Sequence, residues 1–149
     1  MKTGILLMGT MGMVLGVFGT QPARAESPND LLIIANKAVK ESNLTINTVR
    51  SIFLKRRSHW QGGGKIVAIN DKKGTPLRTA FQDKVLDMSQ RREEIYWEEQ
   101  KIKKGVSAPP EMSSRLKAVF KVKGAISYVL RSEYKPGVAQ ILLVIPASS

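Results

Sequence analysis

The sequence predicts an α/β fold, a mixed sheet covered by helices on both faces in a three-layer sandwich. Three observations carry this prediction. Leu31 to Ala35 and Ile66 to Ile69 are uninterrupted apolar runs of strand length. Segments whose apolar residues recur three and four apart, as in amphipathic helices, follow each of them. Two more apolar runs, Ala125 to Leu130 and Ala139 to Ile145, come after the last helical segment. The expected order is therefore β-α-β-α-α-α-β-β, with no internal repeat and no low-complexity tract.

Taken along the chain, Leu31-Leu32-Ile33-Ile34-Ala35 has the composition of a buried strand. Asn43 and Thr45 offer caps for a helix in which Ile46, Val49, Ile52 and Phe53 share a face. Residues 55–64 form a polar, glycine-rich loop holding His59 and Trp60, and Ile66 to Ile69 is the second strand. Gly74-Thr75-Pro76 starts the next helix. Thr75 suits the cap, and Pro76 suits the first turn, where its missing N–H costs nothing. Leu77, Ala80, Phe81, Val85 and Met88 line one face of that helix. Gln90 to about Lys104 is a charged helix containing Ile95, Trp97 and Ile102, and Gly105 to Pro110 is rich in breakers. Met112, Leu116, Val119 and Phe120 form a last helical stripe, ended by Gly124. A turn with Pro136-Gly137 joins the two final strands.

The N-terminus has the form of an export signal. Lys2 supplies the positive end, Ile5 to Phe18 is apolar apart from Gly and Thr, and Ala23-Arg24-Ala25 offers a small-x-small cleavage site. The apolar stretch is shorter than the roughly 20 residues of a spanning helix. No cysteine is present for lipid attachment, and no paired arginine precedes the apolar run. A signal peptide over 1–25 and a single domain over 26–149 are expected, free in the periplasm with no membrane anchor after cleavage. With zero cysteines, apolar burial rather than disulfides must hold the domain.

Charge is the strongest compositional signal. The chain has 24 Lys+Arg against 12 Asp+Glu, a formal +12. Residues 1–25 contain two bases, Lys2 and Arg24, and no acid, so the expected mature chain carries two charges fewer, +10. Such a surface attracts phosphates, acidic glycans, lipid headgroups or an acidic protein face. An exported protein rarely meets nucleic acid, so none is expected as a partner.

The catalytic inventory is thin. His59 is the sole histidine, no cysteine nucleophile exists, and no Gly-x-Ser-x-Gly elbow surrounds a serine. No ligand spacing suggests a metal, and no cofactor is expected. Glu93, Glu94, Glu98 and Glu99 lie among Arg91, Arg92, Lys101, Lys103 and Lys104, as on a solvated helix face, with Glu99 and Lys103 in the favourable i,i+4 order. An enzyme is therefore not expected. Lys72-Lys73-Gly74-Thr75 does carry a mechanism: two cations, a glycine and a hydroxyl at a helix start, where free N–H groups favour anions.

Several segments together resemble small periplasmic proteins related to the phosphate-binding component of the ABC phosphate transporter, of the type II periplasmic binding protein group. They are Ile52-Phe53-Leu54-Lys55-Arg56-Arg57 with Trp60, Ile66 to Asn70, Gly74 to Phe81, Tyr96-Trp97, Gly105 with Pro109-Pro110, and Gly124 to Val129. They run in order across nearly all of the expected mature chain. The resemblance implies a periplasmic binding protein-like fold reduced to a single truncated lobe, because the chain is too short for two.

It also implies a binding protein for phosphate or a similar small anion, serving ABC-type uptake, with Gly74, Thr75, Lys72, Lys73 and Arg78 as ligand-binding residues. Two departures stand at that site. The family's Ser-Gly-Thr helix start reads Thr75-Pro76-Leu77, and Asp71 occupies the place of an arginine, where its charge repels phosphate. The alternative is a structural or adaptor protein of the envelope that keeps the fold and offers a basic or apolar patch, near Trp60 or Tyr134, to another protein.

Overall fold

The computed structural model describes residues 25–147; the expected leader, all but its last residue, lies outside them. Four strands form one sheet in the order β2-β3-β1-β4. They are β1 (Leu31–Ala35), β2 (Val67–Ala68), β3 (Ala125–Leu130) and β4 (Gln140–Ile145). β1 runs antiparallel to both β3 and β4, while β2 is parallel to β3, so the sheet is mixed as expected.

The helices are α1 (Ile46–Phe53), α2 (Pro76–Phe81), α3 (Gln90–Lys104) and α4 (Arg115–Lys121). α2 continues as a π-helical turn, Gln82–Leu86, that ends at Asp87 in the left-handed conformation. The extra residue of that turn keeps Leu77, Phe81 and Val85 on one buried face, with Ala80 and Met88 packed beside them.

The period-two pleat of β1 feeds two separate cores. Leu31, Ile33 and Ala35 face a large cluster with α1 and α2, whereas Leu32 and Ile34 face a smaller one with α4. Helices thus cover both faces, which makes the three layers. The large core is built on aromatics: Phe81 stacks on Tyr128 with ring centroids 3.9 Å apart, and Phe53 meets Phe81 edge-on at 4.7 Å. β4 carries a bulge, where the register along β1 passes from Leu143 opposite Ile33 to Ile141 opposite Ile34. Leu142, the residue passed over, stays buried against the large core.

Loops are pinned by specific bonds. The Arg57 guanidinium makes paired bonds of 2.9 and 2.6 Å to Glu41 and holds that carboxyl below its usual range. Trp60 is buried and donates its indole N–H to the Gly124 carbonyl at 3.1 Å, so it presents no patch to a partner. Gly124 has a φ of 79°, and a Cβ there would lie 2.3 Å from the Lys65 carbonyl oxygen. α4 ends at Lys121 with Val122 as its cap, so Gly124 is not the helix stop the sequence suggests; it lets the segment around Lys65, just ahead of β2, approach the start of β3.

Two more expectations need correction. The stripe Met112, Leu116, Val119, Phe120 does not form one buried face. The helix begins only at Arg115 and runs seven residues, Val119 is fully buried, and Phe120 is 56% exposed. A two-turn helix held by Asn36, whose amide donates to the Val119 and Phe120 carbonyls at 2.8 and 3.0 Å, buries a single narrow face. The second correction concerns Glu93. It does not belong to a solvated face but is 3% exposed, because Arg78 and Gln82 from the preceding helix meet it inside the protein.

Candidate functional site

The sheet ends at β2, and the chain leaves it through Asn70-Asp71 into the turn that starts α2. A strand end beside a helix start is the common place for ligands in α/β sheets. Asn70 is held by its N–H to the Pro110 carbonyl and by its own carbonyl to the Met112 N–H, both 2.8 Å. Thr75 caps α2: its hydroxyl accepts from the Arg78 N–H at 3.1 Å, as the sequence suggests.

Asp71 is the centre of this corner. Its carboxylate accepts three hydrogen bonds: from the Lys72 N–H at 2.8 Å, the Thr75 hydroxyl at 2.6 Å and Arg115 Nη1 at 2.5 Å. Its own N–H donates to the Tyr128 hydroxyl at 3.0 Å, which in turn donates to Asn70 Oδ1 at 3.0 Å. Burial pushes the Tyr128 hydroxyl well above the usual tyrosine range, so it keeps its proton and acts as donor and acceptor at once. Arg115 is further fixed by its Nε, which donates to the Tyr128 carbonyl at 3.0 Å.

Of the five residues expected to hold an anion, four lie on the turn and one lies inside. Lys72, Lys73 and Gly74 are exposed, and Thr75 is half-buried. The Lys73 N–H donates to Glu111 at 2.9 Å. Arg78 is 1% exposed and points inward. One arm donates to the Asp71 carbonyl and the other to Glu93 Oε1, each at 2.7 Å. Glu93 Oε2 accepts from Gln82 at 2.7 Å, closing a buried network around an ion pair.

Beside the turn lies a cavity of about 430 Å³ between α3 and residues 107–111. Lys73, Arg78 and Lys101 reach it, but so do Glu93, Glu94, Glu98 and Glu111. Acids outnumber bases there, so it is not an anion pocket in the manner the turn's sequence suggests. No group of three or more His, Cys, Asp or Glu among the described residues is placed to hold a metal ion.

The sequence points to the turn but not to Arg115, Tyr128 or Glu93. Arg115 lies 44 residues from Asp71, and Tyr128 lies 57 from it. No spacing rule links residues so far apart. Residues 125–130 read as an apolar run buried on both faces, so no local pattern singles out Tyr128 either.

Two solved structures share this fold. One, from Clostridium perfringens, is described as a phosphate ABC transporter substrate-binding protein with bound phosphate; it matches with a TM-score of 0.58 at 16% identity, over 77% of this chain and 45% of that one. The other, an ABC-type phosphate transport receptor from Vibrio cholerae, matches with a TM-score of 0.57 at 16% identity, over 78% of this chain and 47% of that one. No protein-family model matches the chain, and no curated protein matches it by sequence. The chain therefore has a substrate-binding-protein-like α/β fold, spanning a little under half the length of these neighbours. Among the described residues no helix is long and apolar enough to cross a membrane.

Proposed function

We propose that the protein is a non-enzymatic, binding-protein-like domain that takes a small oxyanion, phosphate foremost, at the Asp71–Thr75 corner. The observation that carries this reading is the convergence of an amide, a hydroxyl and a guanidinium on one carboxylate. That is the donor set of an oxyanion site, and Asp71 fills it from within. An external anion must displace the side chain, so the wild-type protein binds phosphate weakly. Lys72 and Lys73, exposed at the mouth, supply the attraction that brings the anion in. Gly74 gives the turn its left-handed step, with a φ of 84°. Arg78 shapes the corner through the Asp71 carbonyl rather than touching the ligand.

The C. perfringens neighbour, with its bound phosphate, supports this ligand class, and both neighbours' names support service to ABC-type uptake. The form of the first 25 residues supports export to the periplasm.

The test is Asp71→Ala, titrated calorimetrically with potassium phosphate against potassium chloride at matched ionic strength. Vacating the carboxylate leaves Arg115, Thr75 and the Lys72 amide open, and phosphate affinity rises at least tenfold over wild type. The melting temperature of the variant also climbs with phosphate, as linkage requires of a ligand bound only by the folded state. Equal affinities in the two proteins, or equal stabilisation by chloride, sink the proposal.

A further inference from the structure

The other face of the sheet holds a cleft that shares only Arg115 with the Asp71 corner. α4 is too short to cover β3 fully, and residues 134–138 rise beside it as a second wall. Between them lies a cavity of about 460 Å³, within the roughly 300–1,000 Å³ range of small-molecule sites. Val129 of β3 is its floor, Leu116 and Phe120 of α4 form one side, and Val138 the other. The opposite wall is fixed before any ligand arrives, since the Tyr134 hydroxyl donates to the Ala139 carbonyl at 2.8 Å.

Phe120, 56% exposed, is the feature that needs explaining. A large aromatic at the lip of an apolar cleft is a contact surface without an occupant in the described chain. The rim sets the charge of that occupant. Arg115 is paired with Asp71 at 2.5 Å and lies 3.7 Å from the exposed Glu133, so it adds no free charge to the rim and Glu133 adds one partly screened acid. Lys117 and Lys135, also at the rim, form no ion pair among the described residues. The cleft thus joins an apolar interior to two free cations.

We propose that this cleft binds a small amphiphile with an apolar tail and a single anionic head, of the kind a medium-chain carboxylic acid represents. The tail lies along Val129, Leu116 and Val138 under the Phe120 ring. The carboxylate sits between Lys117 and Lys135, where it stays partly in water and keeps its charge.

Decanoate, below its micelle-forming concentration, is the probe, titrated into the full protein by calorimetry and followed by amide chemical shifts. Saturable one-to-one binding is expected, with shifts confined to 113–120, 129 and 133–138. Phe120→Asp puts a like charge against the head and an acid in the tail's path; the double variant Lys117→Glu with Lys135→Glu reverses the rim. Each weakens decanoate at least tenfold, and unchanged circular dichroism and melting temperature certify the fold. Decyltrimethylammonium, with the same tail and the opposite charge, does not bind. The proposal is overturned if decanoate fails to saturate, if the folded variants bind it like wild type, or if the cationic amphiphile binds equally well.

Discussion

The two faces of one sheet are finished to different standards. On the face toward α1 and α2, Phe53, Phe81 and Tyr128 are buried and in ring contact, and the core draws residues from Leu31 to Ile145. On the face toward α4, Val119 is the helix residue that is fully buried, while Phe120 beside it stands in solvent. β1 gives each face large apolar residues, Leu31 and Ile33 to the first and Leu32 and Ile34 to the second, so the composition of this shared strand does not explain the contrast. The covering layer does. Two helices and a π-helical turn close the first face, and a seven-residue helix partly closes the second. The first face supplies the stability of the domain, and the second leaves room for something to bind.

The largest effect expected from breaking this asymmetry is at Phe81. It touches Phe53 and Tyr128 and is wholly buried, so Phe81→Ala leaves a cavity that cannot collapse without moving both rings. A loss of about 3–5 kcal/mol follows, a large share of the stability of an ordinary domain, measurable by urea unfolding. A loss below about 1 kcal/mol would mean that the aromatic stack is not what closes this face.

The next effect lies at the rim of the same face. Glu93→Gln keeps the size of the side chain but leaves the Arg78 guanidinium buried without a counter-charge. Removing one partner of a buried ion pair costs about 3 kcal/mol or more, whereas replacing both by apolar residues is often nearly neutral. Glu93→Gln alone should therefore unfold at much lower urea than the double variant Arg78→Met with Glu93→Leu. Equal midpoints for the two would show that the pair is open to water and that α3 is held instead by Tyr96, whose hydroxyl donates to the Leu54 carbonyl at 2.8 Å.

Those two positions also show where sequence reasoning reaches and where it stops. The strands and helices were legible because each is a local pattern: the apolar run of 31–35, the Thr75-Pro76 start, the break at Gly105. The placement of Phe81 followed from the same periodicity. Glu93 was not legible, because its neighbours on α3 are charged and its true partner, Arg78, belongs to another helix. The Asp71–Arg115 pair is hidden for the same reason across 44 residues. Asp71 was visible as an acid at a helix start; that its carboxylate gathers Lys72, Thr75 and Arg115 required the fold. Phe120 failed for a different reason. A stripe at helical spacing says which residues share a face, but the length of the helix decides how many of them the sheet can cover.

Phe120 is consequently the position where the comparison is sharpest and the effect on stability smallest. Its ring is more than half exposed and lies at the edge of a cleft, so Phe120→Ser removes apolar surface that is already largely in water. Changes at such positions usually fall within about 0.5 kcal/mol. The change can even be slightly stabilising, since an exposed aromatic contributes little to the folded state and some clustering to the unfolded one. Urea unfolding of Phe120→Ser beside Phe81→Ala puts the two aromatics on one scale, with the midpoint of the first near wild type and that of the second far below it. A loss at Phe120 comparable with that at Phe81 would mean that α4 closes its face in solution after all and that the cleft is not open to a ligand. A near-zero loss leaves a large apolar side chain that the fold itself does not use, and binding is then the role left for it.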